Sequence, residues 1–211
     1  MFSQQRKKFN IDMKILMLYS PRSGTNSICD YFLKQNPDYI YLNQPWSKYQ
    51  EGNMKKEKYE DCLKYDKILI KSEITAFKNL KISNEKLLSD FDKVILFSRK
   101  NKKEQAISFI IAENNRNFLS KEKRKYFLES ITENEMETVL SYLNKCEDIL
   151  TELNKNGCKL FYYEDIYYNN FEDIFKILNI KFIQQDFDEI LNVKNKYFSG
   201  EWESKKNKTI F

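Results

Sequence analysis

The sequence predicts a single α/β domain with a central parallel sheet flanked by helices. Short apolar runs of strand length alternate with longer amphipathic stretches along the chain. No internal repeat and no interdomain linker interrupts that alternation, so one domain is expected over residues 1–211. A chain of 211 residues with 41% hydrophobic residues can also close one sizeable core.

Taken in order, Lys14–Tyr19 (KILMLY) reads as a buried strand. A turn follows, then a helix in which Ile28 and Phe32 keep helical spacing. Tyr39–Leu42 reads as a short second strand, and the polar stretch Asn43–Lys58 as a loop over the sheet edge. Lys67–Lys71 (KILIK) and Lys93–Ser98 (KVILFS) are the third and fourth strands. A helix is expected from Asn101 to about Arg116, with Asn101 as N-cap and Glu104 completing a capping box. Glu133–Asn156 reads as a long helix with Leu143, Cys146, Leu150 and Leu153 on one face, and Gly157 as its C-cap. Lys159–Tyr163 (KLFYY) is the fifth strand. Residues 1–13 and 200–211 are polar and read as irregular.

The net charge of +5 comes from 36 basic and 31 acidic residues that are interspersed, which favours anionic ligands mildly and argues against nucleic acid as partner. Four separated cysteines and no histidine leave no Cys/His metal spacing, so buried free thiols are expected. The polar N-terminus does not read as a secretory signal, and no apolar run reaches membrane-spanning length. A cytoplasmic location is the expectation, and oligomeric state is not readable.

Chemistry concentrates in Ser20-Pro21-Arg22-Ser23-Gly24-Thr25-Asn26-Ser27, between the first strand and its helix. A tight turn there aims backbone N–H groups and a helix N-terminus at one point, which suits a phosphate. Gly24 would let the backbone approach, Arg22 would add charge, and Ser23, Thr25, Asn26 and Ser27 would add donors. Taken alone, the stretch also reads as an ordinary strand-to-helix connection whose hydroxyls cap the helix. It lacks the Gly-Lys-Ser/Thr ending of a Walker A loop, and the fourth strand runs into Arg99 rather than an acidic metal ligand.

The turn resembles the 5′-phosphosulfate loop of sulfotransferases that use 3′-phosphoadenosine-5′-phosphosulfate (PAPS), in its bacterial Pro-Arg-Ser-Gly-Thr form. Three further stretches follow in that family's order. Arg99 and Ser108, within RKNKKEQAIS, resemble the pair that clamps the 3′-phosphate, and the Gln-Ala-Ile-Ser ending is similar to bacterial carbohydrate sulfotransferases. LFYYEDI followed by FEDIFKILNI resembles the family's Tyr-Glu-Asp strand end, which would bring Tyr163 to the adenine. KSEI, Lys71 to Ile74, aligns with the segment that carries the base in animal cytosolic members, with Glu73 in the histidine's place. Phe198–Trp202 distantly resembles the family's Gly-Asp-Trp segment.

The resemblance implies a P-loop NTPase-like sulfotransferase fold and a metal-independent in-line transfer from PAPS, leaving PAP, to an acceptor hydroxyl, on a carbohydrate by analogy. Arg22 and Lys71 would stabilise the leaving phosphate, and Glu73 would take the acceptor proton. Many bacterial members carry their base in a Glu-Pro pair after the second strand. Here that pair is Gln44-Pro45, which with Trp46 would line the acceptor site. Two alternatives stay open: a P-loop kinase or nucleotide hydrolase, and a catalytically disabled PAPS- or PAP-binding protein.

Overall fold

Strand β1 (Lys14–Tyr19) is buried along its length after Lys14 and forms the centre of a five-stranded sheet. The computed structural model describes residues 12–47, 58–114, 130–168 and 172–190. The other strands are β2 (Ile40–Asn43), β3 (Ile68–Glu73), β4 (Lys93–Ser98) and β5 (Lys159–Tyr162). Their order is β2-β3-β1-β4-β5, and every pairing is parallel. The expected α/β domain with a parallel sheet is therefore what forms.

Strand periodicity of two divides the core into two layers. Ile15, Met17 and Tyr19 face a layer closed by α1 (Thr25–Gln35), α7 (Tyr163–Tyr168), α8 (Glu172–Ile177) and a helical segment over 184–190. Tyr31, Phe32, Phe175 and Phe187 fill that side. Leu16 and Leu18 face the opposite layer, closed by α2 (Tyr59–Cys62), α3 (Ile74–Lys78), α4 (Asn84–Asp90) and α6 (Glu133–Lys155). Helix α5 (Lys102–Asn114) packs against α6.

Several boundaries differ from expectation. β2 begins and ends one residue later, and β3 runs on to Glu73 because it pairs with β1 as far as Tyr19. Tyr163 opens α7 instead of ending β5, with Glu164 and Asp165 suiting the first helical turn. Asn101 does accept from the Glu104 amide at 3.1 Å, but the box is not reciprocal. The Glu104 carboxylate turns to Arg99, and the Asn101 amide donates to Glu164 at 3.0 Å. A full capping box forms instead at α6, between Thr132 and Glu135. Gly157, at φ +99°, closes that helix, with Cys158 N–H on the Leu153 carbonyl and Gly157 N–H on that of Asn154.

All four cysteines are buried thiols outside any disulfide. No helix among the described residues is long and apolar enough to cross a membrane. Residues 48–57 of the expected edge loop, the expected irregular ends apart from Asp12 and the buried Met13, and Phe198–Trp202 lie outside the described residues.

Candidate active site

The chain leaves β1 toward β2 on one side of the sheet and leaves β4 toward β5 on the other. Parallel sheets hold ligands at the carboxyl end of such a divergence, where neighbouring connections part and open a crevice. Register places Tyr19 beside both Glu73 and Phe97, and Lys71 beside Asn43. The residues singled out after β1, β2, β3, β4 and β5 thus arrive at one edge. Neighbouring strands lie about 4.8 Å apart. Glu73 is then one strand from the turn after β1 and two from Arg99 after β4.

The turn is held from below. Gln105, fully buried on α5, donates through Nε2 to Ser20 Oγ at 2.8 Å and to the Pro21 carbonyl at 2.6 Å. Across a trans peptide the carbonyl and the next N–H point opposite ways, so this bond turns the Arg22 N–H away from Gln105. Arg22 is left-handed at φ +63° and Gly24 at φ +79°. Non-glycine residues take that conformation at a cost, which elsewhere concentrates at functional sites. Gly24 is the N-cap of α1 and brings no side-chain cap. Ser23, 1% exposed, has no hydrogen-bond partner for Oγ.

The remaining turn residues divide. Asn26 is exposed and its Oδ1 accepts from Lys71 Nζ. Lys71 is itself buried, with Nζ 5.1 Å from the centre of the Tyr19 ring. Thr25 and Ser27 are buried, and Ser27 hydrogen-bonds with Tyr167. Gly24 has a reason other than ligand approach. A Cβ there would lie 2.7 Å from Tyr163 Cδ2 and 2.9 Å from Tyr167 Cε2. Tyr167 also donates to the Gly24 carbonyl at 2.8 Å.

Among the described residues, four buried side-chain polar atoms lack a hydrogen-bond partner: Ser23 Oγ, Asn43 Oδ1, Trp46 Nε1 and Arg99 Nε, the last lying 3.5 Å from Glu164 Oε1. Such groups are rare in folded proteins and each needs an explanation. All four belong to the carboxyl ends of β1, β2 and β4 or the residues just after them. At this edge Ser23, Asn43 and Trp46 thus each keep a buried polar atom that the described residues leave unsatisfied.

Beyond β4, Arg99 and Ser108 each have partners of their own. Ser108 accepts from Arg22 Nε at 3.0 Å. Arg99 reaches Glu104 at 2.7 Å, lies 3.5 Å from Glu164 and sits 4.7 Å over the Tyr163 ring. The Glu164 carboxylate accepts from the amides of Lys100 (2.8 Å) and Asn101 (3.0 Å). Burial pushes its pKa up, but those amides and the Arg99 charge outweigh burial and hold it low. Tyr163 stacks on Tyr167 with ring centres 4.4 Å apart.

On the other side, Glu73 is half-buried at the end of β3. Its Oε1 accepts from Thr75 Oγ1 and from the Tyr142 hydroxyl, brought over by α6. Gln44, left-handed at φ +52°, donates to the Tyr19 hydroxyl at 2.7 Å. Burial, then the Glu73 charge, raises the Tyr19 pKa, so this phenol stays protonated. The Trp46 ring packs 5.7 Å from both Tyr59 and Phe77, which makes it a wall of the edge.

Sequence reasoning missed the support beneath these groups. Glu147 accepts from Lys102 at 2.8 Å, from Ser98, and from Tyr162 at 2.9 Å. Lys102 also donates to Ser98 at 2.9 Å, and Ser98 lies 3.3 Å from Ser20. Gln105 was visible within Gln-Ala-Ile-Ser, but its contact with Pro21 spans 84 residues. Tyr142 and Glu147 stood beside an obvious apolar helix face that absorbed the pattern.

No protein-family model matches the chain, and neither a curated protein nor a solved structure matches it. What the fold and edge define is a single α/β domain whose five parallel strands deliver polar and basic side chains to one carboxyl edge.

Proposed function

We propose that this chain is a sulfotransferase that moves a sulfuryl group from PAPS to an acceptor hydroxyl, on a carbohydrate, using a P-loop NTPase-like sulfotransferase fold. The observation that carries the proposal is the turn after β1. There α1 starts without a side-chain cap, Ser23 Oγ is buried without a partner, and Arg22 and Lys71 stand beside the same turn. Uncapped N–H groups and positive charge around one point favour an anion. The orphan Ser23 hydroxyl fits a phosphate oxygen as acceptor.

The transfer balances with the groups at this edge. The acceptor oxygen attacks sulfur in line, and the bond from sulfur to the bridging oxygen breaks. The bridging electron pair stays on the phosphate of PAP, where Arg22, Lys71 and the turn amides stabilise the new charge. Glu73 takes the acceptor proton, because Gln44 cannot. Arg99, two strands from Glu73, would meet the 3′-phosphate by exchanging part of its contact with Glu104. Tyr163 would meet the adenine on the ring face that Arg99 overlies, once that guanidinium turns to the 3′-phosphate.

Incubation with sulfur-labelled PAPS and a panel of sugars, in chelator, tests the proposal. Label transferred to a sugar hydroxyl with release of PAP supports it. Magnesium-dependent turnover of ATP with no label transfer would establish the kinase or hydrolase alternative.

A further inference from the structure

Both hydrogen bonds that the Glu73 carboxylate receives from the described residues fall on one oxygen. Thr75 Oγ1 and the Tyr142 hydroxyl donate to Oε1, and the two hydroxyls lie 3.2 Å from each other. Oε2 accepts from no described residue. Tyr142 stands on α6, 69 residues away, and its ring packs 5.8 Å from Phe109 on α5. Its position is thus set by the helix pair that also carries Ser108 and Gln105.

A carboxylate on a strand end can rotate about its last bond and present either oxygen. Two donors on one oxygen remove that freedom and assign the other oxygen to an incoming proton. We propose that Tyr142 and Thr75 are positioning residues that fix the Glu73 carboxylate by Oε1 and leave Oε2 as the proton-accepting atom. This rests on Glu73 being the base, as argued above. The proton of the acceptor would pass to Oε2 while the Tyr142 and Thr75 protons stay where they are. Burial, then the bond to Glu73, raises the Tyr142 pKa, which keeps the phenol a donor across the working range.

The groups facing Glu73 come from four elements, of which α3 brings Thr75. β1 brings Tyr19, whose pKa the Glu73 charge helps to raise, and β3 itself brings Lys71 two residues earlier. α6 brings Tyr142 and Cys146, the thiol being pushed up to about 12 by burial and then by the Glu73 charge. Among these described residues, Tyr142 and Thr75 are the hydrogen-bond donors to the carboxylate.

Carbon-13 NMR of the Glu73 carboxyl, titrated with pH in the whole unliganded chain and assigned by the signal lost in Glu73→Gln, tests the arrangement. Removing a donor from a carboxylate favours its protonated form. Tyr142→Phe and Thr75→Val should each move the midpoint to higher pH, with melting temperature reporting that both variants fold. An unchanged midpoint in folded Tyr142→Phe overturns the proposal. If Tyr142→Phe does not fold, an unchanged midpoint in Thr75→Val does the same. Failure of the base role would show separately, as full label transfer by Glu73→Gln, whatever the titration gives.

Discussion

Arg22 Nε donates to Ser108 Oγ at 3.0 Å, joining the turn after β1 to helix α5 across 86 residues of sequence. The sequence places these residues in two different phosphate contacts. The fold makes them neighbours, so the guanidinium proposed for the first phosphate is steadied by the hydroxyl proposed for the second. Ser108 accepts in this bond and keeps its own proton to donate.

Arg22→Ala should depress turnover with PAPS more than affinity for PAP, since its charge matters most when the leaving oxygen becomes anionic. Ser108→Ala should weaken the same step through Arg22. A double-mutant cycle on kcat/KM should show coupling of at least about 0.5 kcal/mol, as contacting residues do. Additive effects would mean that the contact plays no part in transfer.

Gly24→Ala should destabilise the fold by about 1–3 kcal/mol, the usual cost of a strained backbone position. The new Cβ would also meet the Tyr163 ring, whose other neighbours are Tyr167 and Arg99. Urea unfolding measures the loss, and Tyr163→Ala in the same chain should return the steric part. No recovery in the double variant would leave the left-handed backbone and the Tyr167 ring as what sets the requirement.

Glu147 gives the stability a pH dependence. Burial raises its pKa, but bonds from Lys102 and Ser98 and the Lys102 charge prevail and hold it below its ordinary 4.5. A carboxylate depressed in the folded state contributes stability that is complete above its unfolded pKa. That contribution is lost as pH falls through the folded value. Glu147→Gln should therefore cost about 2 kcal/mol at neutral pH, the worth of a hydrogen bond to a charged group. The gap between variant and unaltered chain should close as pH falls from the ordinary 4.5 through the lower folded value. Denaturant midpoints measured from pH 7 down to 3 provide the check.

Glu73→Gln should lower turnover by roughly two to four orders of magnitude, the usual worth of a general base, with PAP affinity little changed. Gln44→Glu should preserve or raise activity, because position 44 faces the Tyr19 hydroxyl at the same edge. Single-turnover kinetics on both variants separates the cases. An inert chain switched on by Gln44→Glu alone would place the base at position 44.

The parts of this fold that were legible in sequence are those set by local pattern. The boundaries of β1 and β4 follow from unbroken apolar runs closed by Ser20 and Arg99. Tyr163 was misplaced because KLFYY continues the strand's composition, while the helix it opens is dictated by Glu164 reaching back to the amides of Lys100 and Asn101. Lys71 and Glu73 are legible together because β3 carries them two residues apart. Their partners Asn26 and Tyr142 lie 45 and 69 residues off in the chain, and no local pattern announces such meetings. Arg99 was found as a charge, yet its contacts with Glu104 and Glu164 depend on how two helices start.

The central claim is a site that reads PAPS through two phosphates, and calorimetry with PAP and ADP in chelator tests it most directly. PAP should bind at least about tenfold more tightly, a difference of 1.4 kcal/mol, and Arg99→Ala should remove most of that preference. Equal affinity for PAP and ADP, or binding of either only with magnesium, would contradict the account.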